Sequence, residues 1–124
     1  MSTSTFDPRR QRIALSVFQS AADLFRTIER LEAAGSDRAS MKIIAATESA
    51  RQVASVGLTA SPPEQLAAYR QVVSPESAMT LEAALARGDI ILVVPLRDME
   101  TEQLVSGLLL EASALSVQLH DLGT

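Results

Sequence analysis

The chain has 124 residues, a net charge of −4, 47% apolar and 21% charged residues, and no cysteine. That length sets one domain with its own core, and that balance excludes wholesale disorder. Without cysteine there are no disulfides, thiolate metal sites or thiol nucleophiles.

Aromatic residues are only 3% (Phe6, Phe18, Phe25, Tyr69), so the core must be aliphatic and a base-stacking surface is hard to build. Residues 1–62 carry 8 basic and 6 acidic groups, against 3 and 9 in residues 63–124. Such acidity repels phosphate backbones, and nucleic acid is not an expected partner. Arg9, Arg10 and Arg12 form a small basic arm, which reads as a solvated terminus rather than a nucleic-acid arm. The first residues hold no apolar signal core, and no stretch approaches the roughly 20 apolar residues of a membrane span. The expected location is the cytoplasm, with no membrane partner.

Residues 1–11 are polar and small and read as a flexible arm. Ile13 to Phe18 then alternates with period 2, as a strand does. Ser20 is placed to cap a helix over about 21–34, in which Leu24, Phe25, Ile28 and Leu31 form an apolar stripe and Gly35 supplies the stop. Met41 to Ala46 reads as a second strand, with Lys42 on the face an edge strand tolerates.

The stretch 47–80 is less regular. Glu48–Val56 reads as a short helix or irregular chain. Ser61-Pro62-Pro63-Glu64 has the chemistry of a helix start, and that helix should end near Val73, with Ser74-Pro75 as a break. Thr80 would cap a further short helix, Leu81–Ala86, stopped at Arg87-Gly88.

Next comes Ile90-Ile91-Leu92-Val93-Val94, bounded by Asp89 and Pro95. A short run of five apolar residues reads as a central strand buried on both faces. Asp98 caps a last helix to about Ser113, with Glu100 and Glu102 in its first turn, where the helix dipole favours acids. Gly107 inside that helix suggests close backbone packing. Leu115–His120 alternates as a final strand.

The order β-α-β, helical insertion, β-α-β gives an α+β, ferredoxin-like antiparallel sheet with helices on one face. The single domain spans 12–122, its insertion lies at about 47–87, and strands 1 and 3 are central. Such a sheet leaves one face open, yet Ile90–Val94 is apolar on both. Either the insertion or a second subunit must cover the open face. The reading favours a homodimer, with Phe18, Ile44, Ile91 and Val93 at the interface.

Phe18-Gln19-Ser20-Ala21-Ala22 followed by Leu31-Glu32-Ala33-Ala34-Gly35 resembles the first strand and helix of general stress protein 17M-like domains. Pro63-Glu64, Tyr69, and the run from Ala84 to Val94 are similar to the segment leading that family into its third strand. The family's Gly-rich apolar insertion is absent here. The resemblance implies a small, stress-related, ferredoxin-like domain and carries over no catalytic residue.

Candidate site residues are few. His120, the one histidine, could shuttle protons beside Asp121 but reads better as solvated. Glu100 and Glu102 point to different sides of their helix and do not form an acid pair. Arg97, at the start of the last helix, could hold a small anion. Tyr69 and Arg70 could wall a ligand pocket over the sheet. No carboxylate cluster has metal-binding spacing and no phosphate-binding or nucleophile-elbow motif occurs, so no cofactor is expected. Two functions stay open: a non-catalytic, self-associating binding or regulatory module, or a small cofactor-free enzyme of the dimeric α+β barrel kind acting on a small apolar substrate. For the enzyme, only His120, Tyr69, Ser16 and Arg97 could supply the polar group.

Overall fold

A computed structural model describes residues 12–112 and 114–121. The expected arm 1–11 with Arg9 and Arg10, the expected helix end at Ser113, and residue 122 lie outside the described residues.

Four strands form one antiparallel sheet: β1 (Arg12–Phe18), β2 (Lys42–Ile44), β3 (Ile90–Leu96) and β4 (Ser116–Asp121), in the order β2-β3-β1-β4. The fold is α+β. β1 and β3 are central, with Leu15 opposite Val93 and Val17 opposite Ile91. The strand at Ile90 continues through Pro95 to Leu96 rather than stopping at the proline. β2 reaches only as far as Lys42, opposite Val93, so at Pro95 the ladder has one neighbour and the missing N–H is tolerated.

Helix α1 (Ala21–Ala33) starts where Ser20 accepts a hydrogen bond from the Asp23 amide at 3.1 Å. It stops at Gly35, whose φ of 108° lets the Ser36 amide return to the Leu31 carbonyl. Helix α4 (Met99–Glu111) starts at Asp98, whose carboxylate accepts from the Thr101 amide at 2.7 Å. That contact holds the Asp98 carboxyl below its ordinary range. Both helices lie on one side of the sheet. There Ala14, Phe18, Ile90, Leu92 and Val94 are buried with Leu24, Ile28 and Leu31 of α1 and Val105 and Leu109 of α4.

The segment between β2 and β3 is helical but differs from its expected layout. Helix α2 (Thr47–Ser55) is followed by a 3-10 helix at Pro63–Tyr69, which has no side-chain cap, and then by α3 (Pro75–Ala86). Ser74-Pro75 does not break a helix; it begins one. Ser74 accepts from the Ser77 amide at 3.1 Å, and Pro75 occupies the first turn, where its missing N–H costs nothing. Thr80 is accordingly interior to α3, its hydroxyl donating to the Glu76 carbonyl rather than capping.

Val53 of α2 is buried with the α1–α4 core, whereas residues 63–86 of this segment lie over the second face of the sheet. Ile13, Leu15, Val17, Ile44, Ile91 and Val93 are buried there with Leu66, Val73, Leu81, Ala84 and Leu85. The two-sided apolar character of β3 therefore has two covers in one chain. Fully burying a side chain of this size stabilises by about 1.5–3 kcal/mol, a contribution that a polar residue in the run would forfeit.

This placement corrects the expected interface. Phe18 faces the α1–α4 side, while Ile44, Ile91 and Val93 face the segment between β2 and β3, and all four are 0–2% exposed within one chain. None offers surface to a second copy. Gly107 is also unlike its expectation: a Cβ built there meets no atom within 4 Å, so close packing does not explain it.

Candidate functional site

The helical cover over the sheet creates a cleft whose lining includes Arg70 but not Tyr69, the other residue expected at a pocket wall. It has a volume of about 420 Å³. Leu66 and Ala67 of the 3-10 helix form one wall and Leu85 and Ala86 of α3 the other, with Ala46 and Pro63 at one end. These positions follow from local sequence. Pro62-Pro63 fixes the entry to the 3-10 helix, and the Ser74-Pro75 start sets the phase of α3, which turns Leu81, Ala84 and Leu85 inward.

Arg70 and Glu82 stand at the cleft with Nη2 and Oε2 2.9 Å apart, linking the end of the 3-10 helix to the middle of α3. Their side chains are 65% and 48% exposed, so the pair contributes only about 0.2–1 kcal/mol. Glu64 is the other charged residue lining the cleft. Tyr69 is half-buried against the same core, and burial pushes its phenol above the ordinary tyrosine value. It is therefore a hydroxyl donor at neutral pH, not a base.

The remaining candidates lie elsewhere. His120 is on β4, opposite Ile13 and so on the α3 side of the sheet, and its Nε2 is 2.9 Å from Gln118 Oε1. Burial lowers its pKa. The Asp121 side chain, its expected partner, lies outside what is described. Arg97 is exposed beyond β3 and lines a separate cleft of about 290 Å³ with Ser36, Asp37, Ser40 and Thr101. The first turn of α4 beside it is already capped by the Asp98 carboxylate. Ser16 is fully buried on the α1–α4 side, its hydroxyl without a hydrogen-bond partner. It is thus separated by the sheet from Tyr69 and His120, and the four polar groups considered for catalysis do not converge.

Among the described residues no group of three histidine, aspartate or glutamate side chains is placed to hold a metal ion. No helix among them is long and apolar enough to cross a membrane. Glu82 and Leu85 carry no signal in the sequence that singles them out, whereas Leu66 reads as an inward-facing residue of its helix. The Ser74-Pro75 start, read as a cap, is the signal that would have placed Leu81 and Leu85 on one helical face.

The chain matches no family model, no curated protein and no solved structure.

Proposed function

We propose that the chain is a small binding module whose site is the cleft between the 3-10 helix and α3, and that it takes an amphiphile with a compact apolar body and one carboxylate. The observation that carries this is the pairing of apolar walls with an exposed, weakly held Arg70–Glu82 ion pair. The walls supply non-directional affinity. Arg70 supplies a planar donor for a carboxylate, and releasing Glu82 to water costs little.

The same proposal includes a ferredoxin-like reading of the sheet. The orders β1-α1-β2 and β3-α4-β4, with both helices on one face, support it. It agrees with the resemblance to general stress protein 17M-like domains carried by Phe18–Ala22, Leu31–Gly35 and Ala84–Val94.

Titration with a medium-chain carboxylate such as octanoate, followed by methyl NMR, tests the site. Shifts concentrated at Leu66 and Leu85 are expected, with tighter binding in Glu82→Gln and loss in Arg70→Ala. Shifts scattered over the surface, or binding indifferent to both substitutions, would overturn the proposal.

A further inference from the structure

The two edges of the sheet differ. β2 has three residues, carries Lys42, and is flanked on its outer side by Ser61, whose amide donates to the Ile43 carbonyl at 2.7 Å while its carbonyl accepts from the Ala45 amide at 3.0 Å. Short length, a lysine and a covering segment are how natural sheets blunt an edge. β4 has none of these. It is six residues long, Ser116–His120 contains no lysine, arginine or proline, and among the described residues no strand pairs with its outer side.

Exposed apolar side chains concentrate on β4 and the helix that precedes it. Of the six exposed large apolar side chains among the described residues, five lie on α4, β4 and their connection: Met99, Leu104, Leu110, Leu115 and Leu119. Leu110 is 73% exposed. Within the run Leu108-Leu109-Leu110, Leu109 is buried in the core and Leu108 packs against it, so Leu110 alone belongs to this surface.

We infer that β4 pairs antiparallel with β4 of a second copy, joining the two four-stranded sheets edge to edge around a two-fold axis. Side-chain chemistry and charge select a second copy over an unrelated strand. The axis stands perpendicular to the sheet, so like faces stay together and residues of the same pleat parity meet. A register centred on Gln118 sets Val117 against the second copy's Leu119 on the helix side, and Ser116 against its His120 on the other side. Across residues 116–120 apolar thus meets apolar and polar meets polar, while Asp121 falls at the margin opposite the second copy's position 115. A charged peptide has nothing to answer there, because Ser116–Leu119 carries no formal charge. Of the nearby acids on α4, Glu102 is held by Arg12 and Glu111 by Arg30, which limits repulsion between two copies. This inference is independent of the cleft, which lies on the opposite side of the sheet from α4.

The absence of native cysteine makes the test direct. In Gln118→Cys the two thiols would face each other across the axis, with Cα atoms about 4.5–5.5 Å apart, within disulfide range. Under mild oxidation the full chain should form a covalent dimer, while Ser55→Cys, exposed on α2, should not. Sedimentation of the unmodified chain should show a dimer at micromolar concentration, and Leu119→Lys should weaken it by about tenfold or more with an unchanged circular dichroism spectrum. A monomer at these concentrations, or cross-linking of Gln118→Cys no faster than of Ser55→Cys, would overturn the inference.

Discussion

Ile44 and Ile91 lie directly opposite one another across the β2–β3 ladder, and both are wholly buried beneath the chain's own segment 63–86. This makes that segment part of the core rather than a surface excursion. Leu81 in α3, itself fully buried, should behave as a core residue: Leu81→Ala is expected to cost about 2–5 kcal/mol in denaturant unfolding. Leu110→Ala, on the outer surface of α4, should leave the unfolding free energy of the monomer within about 0.5 kcal/mol of its value. Equal effects at the two positions would mean that α3 is not packed on the sheet.

The turn into β3 is held from a distance. Gly88 has a φ of 91°, and its carbonyl accepts a hydrogen bond from the buried Ser49 hydroxyl of α2 at 2.5 Å. Ser49→Ala should destabilise by about 1–2 kcal/mol, since it strips the donor from a partly buried carbonyl. Gly88→Ala should cost a similar amount by forcing a side chain into the left-handed region. Equilibrium urea unfolding of each variant measures both.

Gly107 should be replaceable with profit. It lies inside α4, its backbone is ordinary for a helix, and a Cβ there meets open space. Gly107→Ala is expected to raise stability by about 0.5–1 kcal/mol through lower unfolded-state entropy and better helix propensity. A loss of stability in thermal unfolding would show a contact at this position that the structure lacks.

His120 sets a pH dependence of known sign. Burial lowers its folded pKa below the ordinary histidine value of about 6.5. As pH falls through that value the unfolded chain takes up the proton first, so stability declines. The decline ends once pH is below the folded pKa. His120 is the one histidine in the chain, so His120→Gln should flatten the stability profile just below pH 6.5. Urea midpoints measured between pH 5 and 7.5 give the answer, and an unchanged slope in the variant would refute the assignment.

Much of this architecture was legible because local signals and tertiary demand agree. Ser20, Asp98 and the uninterrupted run Ile90–Val94 are a cap, a cap and a buried strand both in pattern and in space. Two proline starts were not separable by pattern. Ser61-Pro62 and Ser74-Pro75 offer the same chemistry, yet only Ser74 caps an α-helix, and the segment after Pro62 is a 3-10 helix lying against the sheet. Packing decides between them, and packing is not written in four residues. Which side of β1 carries which helices was equally hidden, since Ile13, Leu15 and Val17 on one face and Ala14 and Phe18 on the other are all apolar. The cleft at Arg70 was half visible: the arginine stood out as a charge and Leu66 as an inward-facing residue, while Leu85 and Glu82 become their neighbours only once α3 is given its true start.

The account depends most on a single covering relationship, that of residues 63–86 over Ile44, Ile91 and Val93. Val93→Cys places a lone thiol under that cover with little change in volume. Its labelling by a thiol reagent under native conditions, followed as the protein is diluted until only monomer remains, tests the claim directly. The thiol should stay protected at every concentration, because the cover belongs to the same chain. Protection that disappears on dilution would show that a second copy supplies it, and would contradict the account.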